Sequence, residues 1–279
     1  MLKIILAGSL SMGLLALPAR AASKAVVHSF QGSPNDGATP NNLINVGGEL
    51  YGTTIGGGAH NNGTVFKMTE NGVVTVLHSF GHGHDGVNPF AGLINVGDTL
   101  YGTTRIGGAH GSGTVFMITT AGAETVLYSF KGGSDGASPQ ASLIDVGGKL
   151  YGTTAYGGFN GCGGGGCGTV FKVTTAGVEK VLHYFGEGNG GVNPFAGLIN
   201  VGGTLYGTTN IGGAHGNGTV FTITTAGAET VLHSFQGGSD GENPQAGLIN
   251  VAGTLYGATF YGGPCCGTVF KITTAGAET

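Results

Sequence analysis

A β-propeller of four-stranded antiparallel blades is the fold class this sequence predicts, and three observations predict it. Two phrases recur five times: Tyr-Gly-Thr-Thr begins at Tyr51, Tyr101, Tyr151 and Tyr206 and reads Tyr-Gly-Ala-Thr at Tyr256, while Gly-Thr-Val-Phe begins at Gly63, Gly113, Gly168, Gly218 and Gly267. The period stays near fifty residues, with one five-residue insertion in the third copy, which is the signature of a repeat architecture. No segment carries the 3.6-residue apolar period of a helix.

Taken in order, the chain begins with residues outside the repeat. Lys3 is followed by a mostly apolar run from Ile4 to Leu17, and Ala19-Arg20-Ala21 has small residues where a signal peptidase reads. Residues 1–21 are therefore expected to be a secretory signal cleaved near Ala21/Ala22, giving a secreted or cell-surface protein. The apolar run is short and broken by Gly8, Ser9, Ser11 and Gly13, and no other stretch is long enough to span a bilayer. Residues 22–279 form a single repeat domain of five units.

The fourth copy shows how one unit is built. Leu198–Val201 reads as a short strand, and Gly202-Gly203 as a two-residue hairpin turn that needs positive φ. Thr204–Thr209 is the second strand, and a Gly-rich loop follows. Thr219–Thr224 is β-branched and aromatic and forms the third strand. Ala226-Gly227 turns the chain into a fourth strand at Glu229–Phe235, and Gln236–Gln245 connects to the next unit through Asp240-Gly241 and Asn243-Pro244. Apolar residues fall on both faces of the middle strands, so each sheet must be covered on both sides by its neighbours. Val26-Val27-His28-Ser29-Phe30 matches Val231-Leu232-His233-Ser234-Phe235, a fourth strand. The expectation is a five-bladed propeller whose N-terminal strand closes the last blade. The alternatives are a β-solenoid or a truncated longer array.

Composition narrows the partners. Charged residues make up 9% and the formal net charge is −4, which excludes a phosphate-neutralising surface and hence a nucleic-acid role. Export permits disulfides. Cys162 and Cys167 flank four glycines in the inserted loop, and Cys265 and Cys266 are adjacent. Neither pair has His or Cys partners at metal-ligand spacing, so both read as disulfide cysteines, with the pairing of Cys265 and Cys266 open. No metal and no cofactor are expected.

The phrase Leu-Tyr-Gly-Thr-Thr…Gly-Gly…Gly-Thr-Val-Phe-Lys-Ile-Thr…Gly…Val-Leu-His-Ser-Phe resembles the GloVer tandem-repeat family of bacterial exported proteins. The resemblance covers Ala25 onward in all five copies, including the Cys…Cys-Gly-Thr-Val-Phe variant at Cys162–Phe171. It implies an exported or surface location, often with a C-terminal sorting anchor. This sequence departs there, since it still reads as repeat at its last residues. The resemblance implies no established activity.

Any function is expected on the edge that carries the long loops. The loops between strands two and three place His60, His110 and His215 there. The connectors from strand four place Asp36, Asp85, Asp135 and Asp240, and then Asn88, Asn193 and Asn243. Asp-Gly and Asn-Pro also serve as plain turn formers. His82-Gly83-His84-Asp85 has ligand chemistry but occurs in one copy only. His28, His78, His183 and His233 alternate with apolar residues on strand four and read as structural. A glycoside hydrolase would need paired carboxylates on inner strands. That position reads Asn45, Asn95, Asp145, Asn200 and Asn250, with one acid among five. The sequence thus points to a non-catalytic surface binding module, multivalent for glycans, or to a structural or protein-docking module with an extracellular protein partner.

Overall fold

The computed structural model describes residues 24–158, 161–162 and 164–276, and the leader expected at residues 1–21 lies outside the described residues. The chain is all-β. Two single-turn 3-10 segments, Gly133–Asp135 and Gly238–Asp240, are the only helical pieces among the described residues.

Each copy of the repeat folds into its own antiparallel meander. The second sheet holds Ile94–Val96, Thr99–Thr104, Thr114–Thr119 and Glu124–Ser129, paired in sequence order. The third and fourth sheets repeat this order, from Ile144–Val146 to Glu179–Tyr184 and from Ile199–Val201 to Glu229–Ser234. The first sheet runs from Ile44–Val46 to Val74–Ser79. The hairpin glycines take the expected positive φ, 61° at Gly202 and 90° at Gly203.

The repeat pattern does not show one feature of the unit. Each connector adds a short ladder to the strand-two end of the sheet it enters. Gly37–Pro40 pairs with the end of Glu49–Gly57, Val87 bridges Ile106, Ala137 bridges Tyr156, Gly191–Val192 pairs with Ile211–Gly212, and Glu242–Pro244 pairs with Thr254–Tyr261. The connector is therefore fixed to the sheet it enters.

The two recurrent phrases make the core. In the second sheet Gly102 stands directly across from Phe116, and a Cβ on Gly102 would come within 2.6 Å of the Phe116 ring. Glycine is required there because the ring lies over its backbone. The flanking threonines are wholly buried and hydrogen-bond across the ladder, Thr104 Oγ1 to Thr114 Oγ1 at 2.8 Å, and the other units repeat this pair. Buried hydroxyls without such a partner would cost stability. Gly113 takes φ of 100° and packs against the Pro139 ring of the next connector, where only glycine fits both demands.

Neighbouring sheets then stack face on face. Leu93, Leu100, Phe116 and Ile118 of the second sheet pack against Tyr51, Val65 and Phe80 of the first. The same composition fills the next three interfaces. Both faces of the middle sheets are thus covered, as their two-sided apolar pattern required.

The two ends of the array differ from its middle. The fifth sheet contains Ile249–Val251, Thr254–Tyr261 and Val269–Thr273, and no fourth strand pairs with Val269–Thr273 among the described residues. Val269 is 82% exposed, whereas its counterpart Val115 is fully buried. Val26–Phe30, expected to be that fourth strand, has no strand assignment and makes no ladder with it. The segment lies on the first sheet, where Phe30 meets Phe66 edge-on with centroids 5.0 Å apart.

Replacing Gly102 with Ala is expected to force the Phe116 ring from its place and to destabilise the fold by about 1–3 kcal/mol. Phe116→Ala is expected to cost about 3–5 kcal/mol. Urea denaturation followed by circular dichroism checks both; a Gly102→Ala variant as stable as the parent would remove the close-packing argument.

Candidate functional site

The long loops do gather on one edge, and the structure sorts the candidate residues into two groups. His60, His110 and His215 are exposed, each on a loop held in the same way. The backbone N–H of the preceding alanine donates to a strand-four serine hydroxyl at 3.3 Å: Ala59 to Ser79, Ala109 to Ser129 and Ala214 to Ser234. Three imidazoles are therefore presented to solvent on equivalent loops.

The aspartates sit differently. Asp85 accepts a hydrogen bond from the Gly81 N–H at 2.9 Å and its other oxygen meets His78 Nε2 at 2.9 Å. Asp36 does the same with Gln31 N–H and His28. Asp240 meets both Gln236 N–H and His233 Nε2 through one oxygen, Oδ2. In the second unit Tyr128 Oη donates to Asp135 at 2.6 Å and Lys131 N–H donates to it at 2.7 Å. Each carboxylate thus closes its connector onto strand four. The strand-four histidines have the structural place expected of them, and Tyr128 fills the same role. The third unit has no aspartate here: burial holds the His183 imidazole below its ordinary pKa, and the Cys162 and Cys167 sulfurs lie against Gly186 of that connector.

The asparagines are also structural. Asn88, Asn193 and Asn243 adopt φ of 54–57° immediately before proline, a left-handed conformation that asparagine tolerates. Their side-chain amides donate to the Ile55, Ala155 and Asn210 carbonyls of the preceding unit. They tie one unit to the next. On the first strands, Asn45, Asn200 and Asn250 accept from the N–H of Gly48, Gly203 and Gly253 and so hold the hairpin turns.

Sequence reasoning missed one set of residues. Glu124, Glu179 and Glu229 begin the fourth strands of three consecutive units, and in each the Oε1 atom is buried without a hydrogen-bond partner. Burial, together with the neighbouring Asp85 charge, raises the Glu124 carboxyl from about 4.5 to about 7. Burial, with Asp135 second, does the same to Glu179, and burial raises Glu229. Glu124 and Glu179 face the connector of the unit before, at Asp85 and Asp135. The recurrence of Glu at one strand position was visible, but its partner across the groove was not. The groove at Glu124 is an open cavity of about 580 Å³ bordered by His78, His82, His84 and Asp85.

Both disulfides form, Cys162–Cys167 in the inserted loop and Cys265–Cys266 as a vicinal pair, and no free cysteine is found among the described residues. No three His, Cys, Asp or Glu side chains stand close enough, as placed among the described residues, to surround a metal ion. No helix among them is long and apolar enough to cross a membrane.

Stacked antiparallel meanders with a periodic loop edge define an all-β, propeller-like repeat protein. The chain belongs to the Gloeobacter/Verrucomicrobia repeat family, whose model matches residues 14–165 and 162–279. No curated protein matches it. Among solved structures it is similar to virginiamycin B lyase from Staphylococcus aureus, at 15% identity and a TM-score of 0.59, over 89% of this chain and 71% of that one. A luciferin-regenerating enzyme matches at 14% identity and a TM-score of 0.52, over 89% and 75%. A Mycobacterium tuberculosis puromycin-hydrolyzing peptidase matches at 14% and 0.55, over 85% of this chain and 36% of that one. At these identities the likeness is one of fold alone.

The raised glutamates predict a pH dependence. A carboxyl whose folded pKa lies above its unfolded value stabilises the fold fully below about pH 4.5 and loses that contribution as pH rises through about 7. A Glu124→Gln/Glu179→Gln variant, which keeps a neutral side chain at every pH, is expected to flatten the fall in melting temperature across this window. Parallel curves for parent and variant would show that the two groups do not titrate there.

Proposed function

We propose that this protein is an exported, non-catalytic propeller module whose loop edge binds polymeric glycans through several equivalent weak contacts. The observation that carries this reading is the threefold presentation of exposed His60, His110 and His215 on loops of the same construction. Equivalent sites on one rigid array raise avidity on a repeating polymer without tight individual contacts. The low formal charge suits an uncharged ligand. The commitment of Asp36, Asp85, Asp135 and Asp240 to their own connectors leaves the loop histidines as the free polar groups. Against catalysis stands the use of three inner-strand asparagines as turn holders, with Asp145 the one acid in that row.

The same proposal includes a ring of five blades. Phe30 meets Phe66 as Phe80 meets Phe116 and Phe235 meets Phe270, at 5.0–5.1 Å, so the N-terminal segment stands where a preceding fourth strand would. Pairing of Val26–Phe30 with Val269–Thr273 would cover the exposed Val269 edge.

Protein beginning at Ala22 is expected to bind neutral polysaccharides saturably on a glycan panel. The His60→Ala/His110→Ala/His215→Ala variant should lose at least about tenfold in avidity with an unchanged melting temperature. Equal binding by parent and variant would sink the assignment, as would silence of the parent across the panel. For the ring, hydrogen exchange is the measurement: amides of Val269–Thr273 protected as well as those of Thr219–Thr224 would support closure, and rapid exchange would oppose it.

A further inference from the structure

The first groove departs from its counterparts at three positions, and at two of them it carries imidazole. The connector reads Phe80-Gly81-His82-Gly83-His84-Asp85, where the second unit reads Phe130-Lys131-Gly132-Gly133-Ser134-Asp135 and the fourth reads Phe235-Gln236-Gly237-Gly238-Ser239-Asp240. The backbone frame is shared, since in all three the residue after the phenylalanine donates its N–H to the aspartate. Only the first carries imidazoles, His82 in place of glycine and His84 in place of serine.

These two histidines are exposed and border the same cavity as Glu124. The Glu124 Oε1 atom is buried there without a hydrogen-bond partner, an arrangement that costs stability unless something fills it. His60 stands beside His82, with the two ring centroids 6.2 Å apart. Two imidazoles on one zinc ion, with Zn–N of about 2.0–2.1 Å, place their ring centroids about 5–6 Å apart. The spacing is thus close to that of a shared ion.

We propose that this groove is a binding site for a borderline divalent cation such as zinc, held by the His82 and His84 imidazoles and the Glu124 carboxylate, with His60 as a fourth donor. Imidazole with a single carboxylate suits zinc and its first-row neighbours better than calcium, which takes six to eight oxygen ligands. The donors are not gathered as placed. Gathering them needs rotation of exposed side chains about χ1 and χ2 on a turn whose backbone is already fixed by Asp85. Asp85 itself stays with His78 and the Gly81 N–H and orients the rim. The cation would neutralise two facing carboxylates, Glu124 and Asp85, that otherwise repel. The expectation of no metal, drawn from the sequence, weighed His82 and His84 without Glu124, which lies forty residues further along and arrives only through the stacking of the sheets.

Calorimetric titration of the untagged chain with zinc chloride at pH 7.5 tests the site. One zinc per chain is expected. His82→Ala/His84→Ala should weaken binding at least about tenfold, Glu124→Gln about tenfold, and Glu179→Gln, the same carboxylate in the groove without turn histidines, not at all. Circular dichroism should be unchanged in all three variants. The proposal is overturned if the parent takes up no zinc or if the double histidine variant binds as tightly as the parent. It is also overturned if Glu124→Gln binds unchanged or if Glu179→Gln weakens binding as much as Glu124→Gln does.

Discussion

The structure depends on one contact repeated through it, a phenylalanine ring lying across a glycine on the neighbouring strand. Gly102 faces Phe116 in the second sheet, and Gly52 and Phe66, Gly152 and Phe171, Gly207 and Phe221, and Gly257 and Phe270 do so in the others. The tip of the ring sits against the glycine, and the ring also meets a second phenylalanine arriving from the unit before. That partner is Phe80 for Phe116, Phe130 for Phe171, Phe185 for Phe221 and Phe235 for Phe270, all T-shaped at 4.9–5.1 Å. Such pairs contribute about 0.5–1.5 kcal/mol beyond the area they bury. Their larger effect is on register. The ring sits at a fixed place on strand three, and the next ring of the unit lies fourteen residues further on. Each sheet therefore docks on the next in one way.

A stack of this kind leaves the connectors between sheets to be held by other contacts. These segments are rich in glycine and have little apolar surface of their own, so polar contacts hold them. An aspartate folds the connector onto a histidine or tyrosine of strand four. A left-handed residue before proline then turns it, and where that residue is asparagine its amide reaches back to the previous unit. Three of the residue types that look like ligands in the sequence are consumed by this task. The His-Asp pairs are scaffold because both partners are satisfied locally, within seven or eight residues.

What was legible in the sequence followed from local rules. Positive-φ glycine pairs marked the hairpins, β-branched and aromatic runs marked strands two to four, and apolar residues on both faces of Thr114–Thr119 announced burial from both sides. The constant spacing of His78 to Asp85, Tyr128 to Asp135 and His233 to Asp240 was a further signal, and it identifies the connector clasp once a clasp is looked for. Contacts between units were not legible. The glutamates meet groups some forty residues away on another sheet, and the short ladder from each connector depends on where the neighbouring strand two ends. The pairing of Val26–Phe30 with the fifth sheet was read from a motif match, and a motif match fixes which strand type a segment resembles, not which edge it occupies.

Repetition also changes how a departure from the pattern should be weighed. When four units share a frame, a residue that differs in one of them is not needed by the frame, because the others stand without it. Cys162 and Cys167 are of this kind, and their bond anchors a loop that the other units lack. His82 and His84 are of the same kind, and they take the places of a glycine and a serine, residues that turns accept readily. A turn gains nothing in stability from two exposed imidazoles. Their value has to lie in what they can hold, and the groove beside them supplies a buried carboxylate oxygen that no other group satisfies. The threefold loop histidines argue in the opposite direction: their sameness suits a ligand that is itself repetitive. The same scaffold thus carries two kinds of chemistry, shared contacts along the loop edge and one specialised groove between the first and second sheets, and His60 beside His82 stands where the two meet.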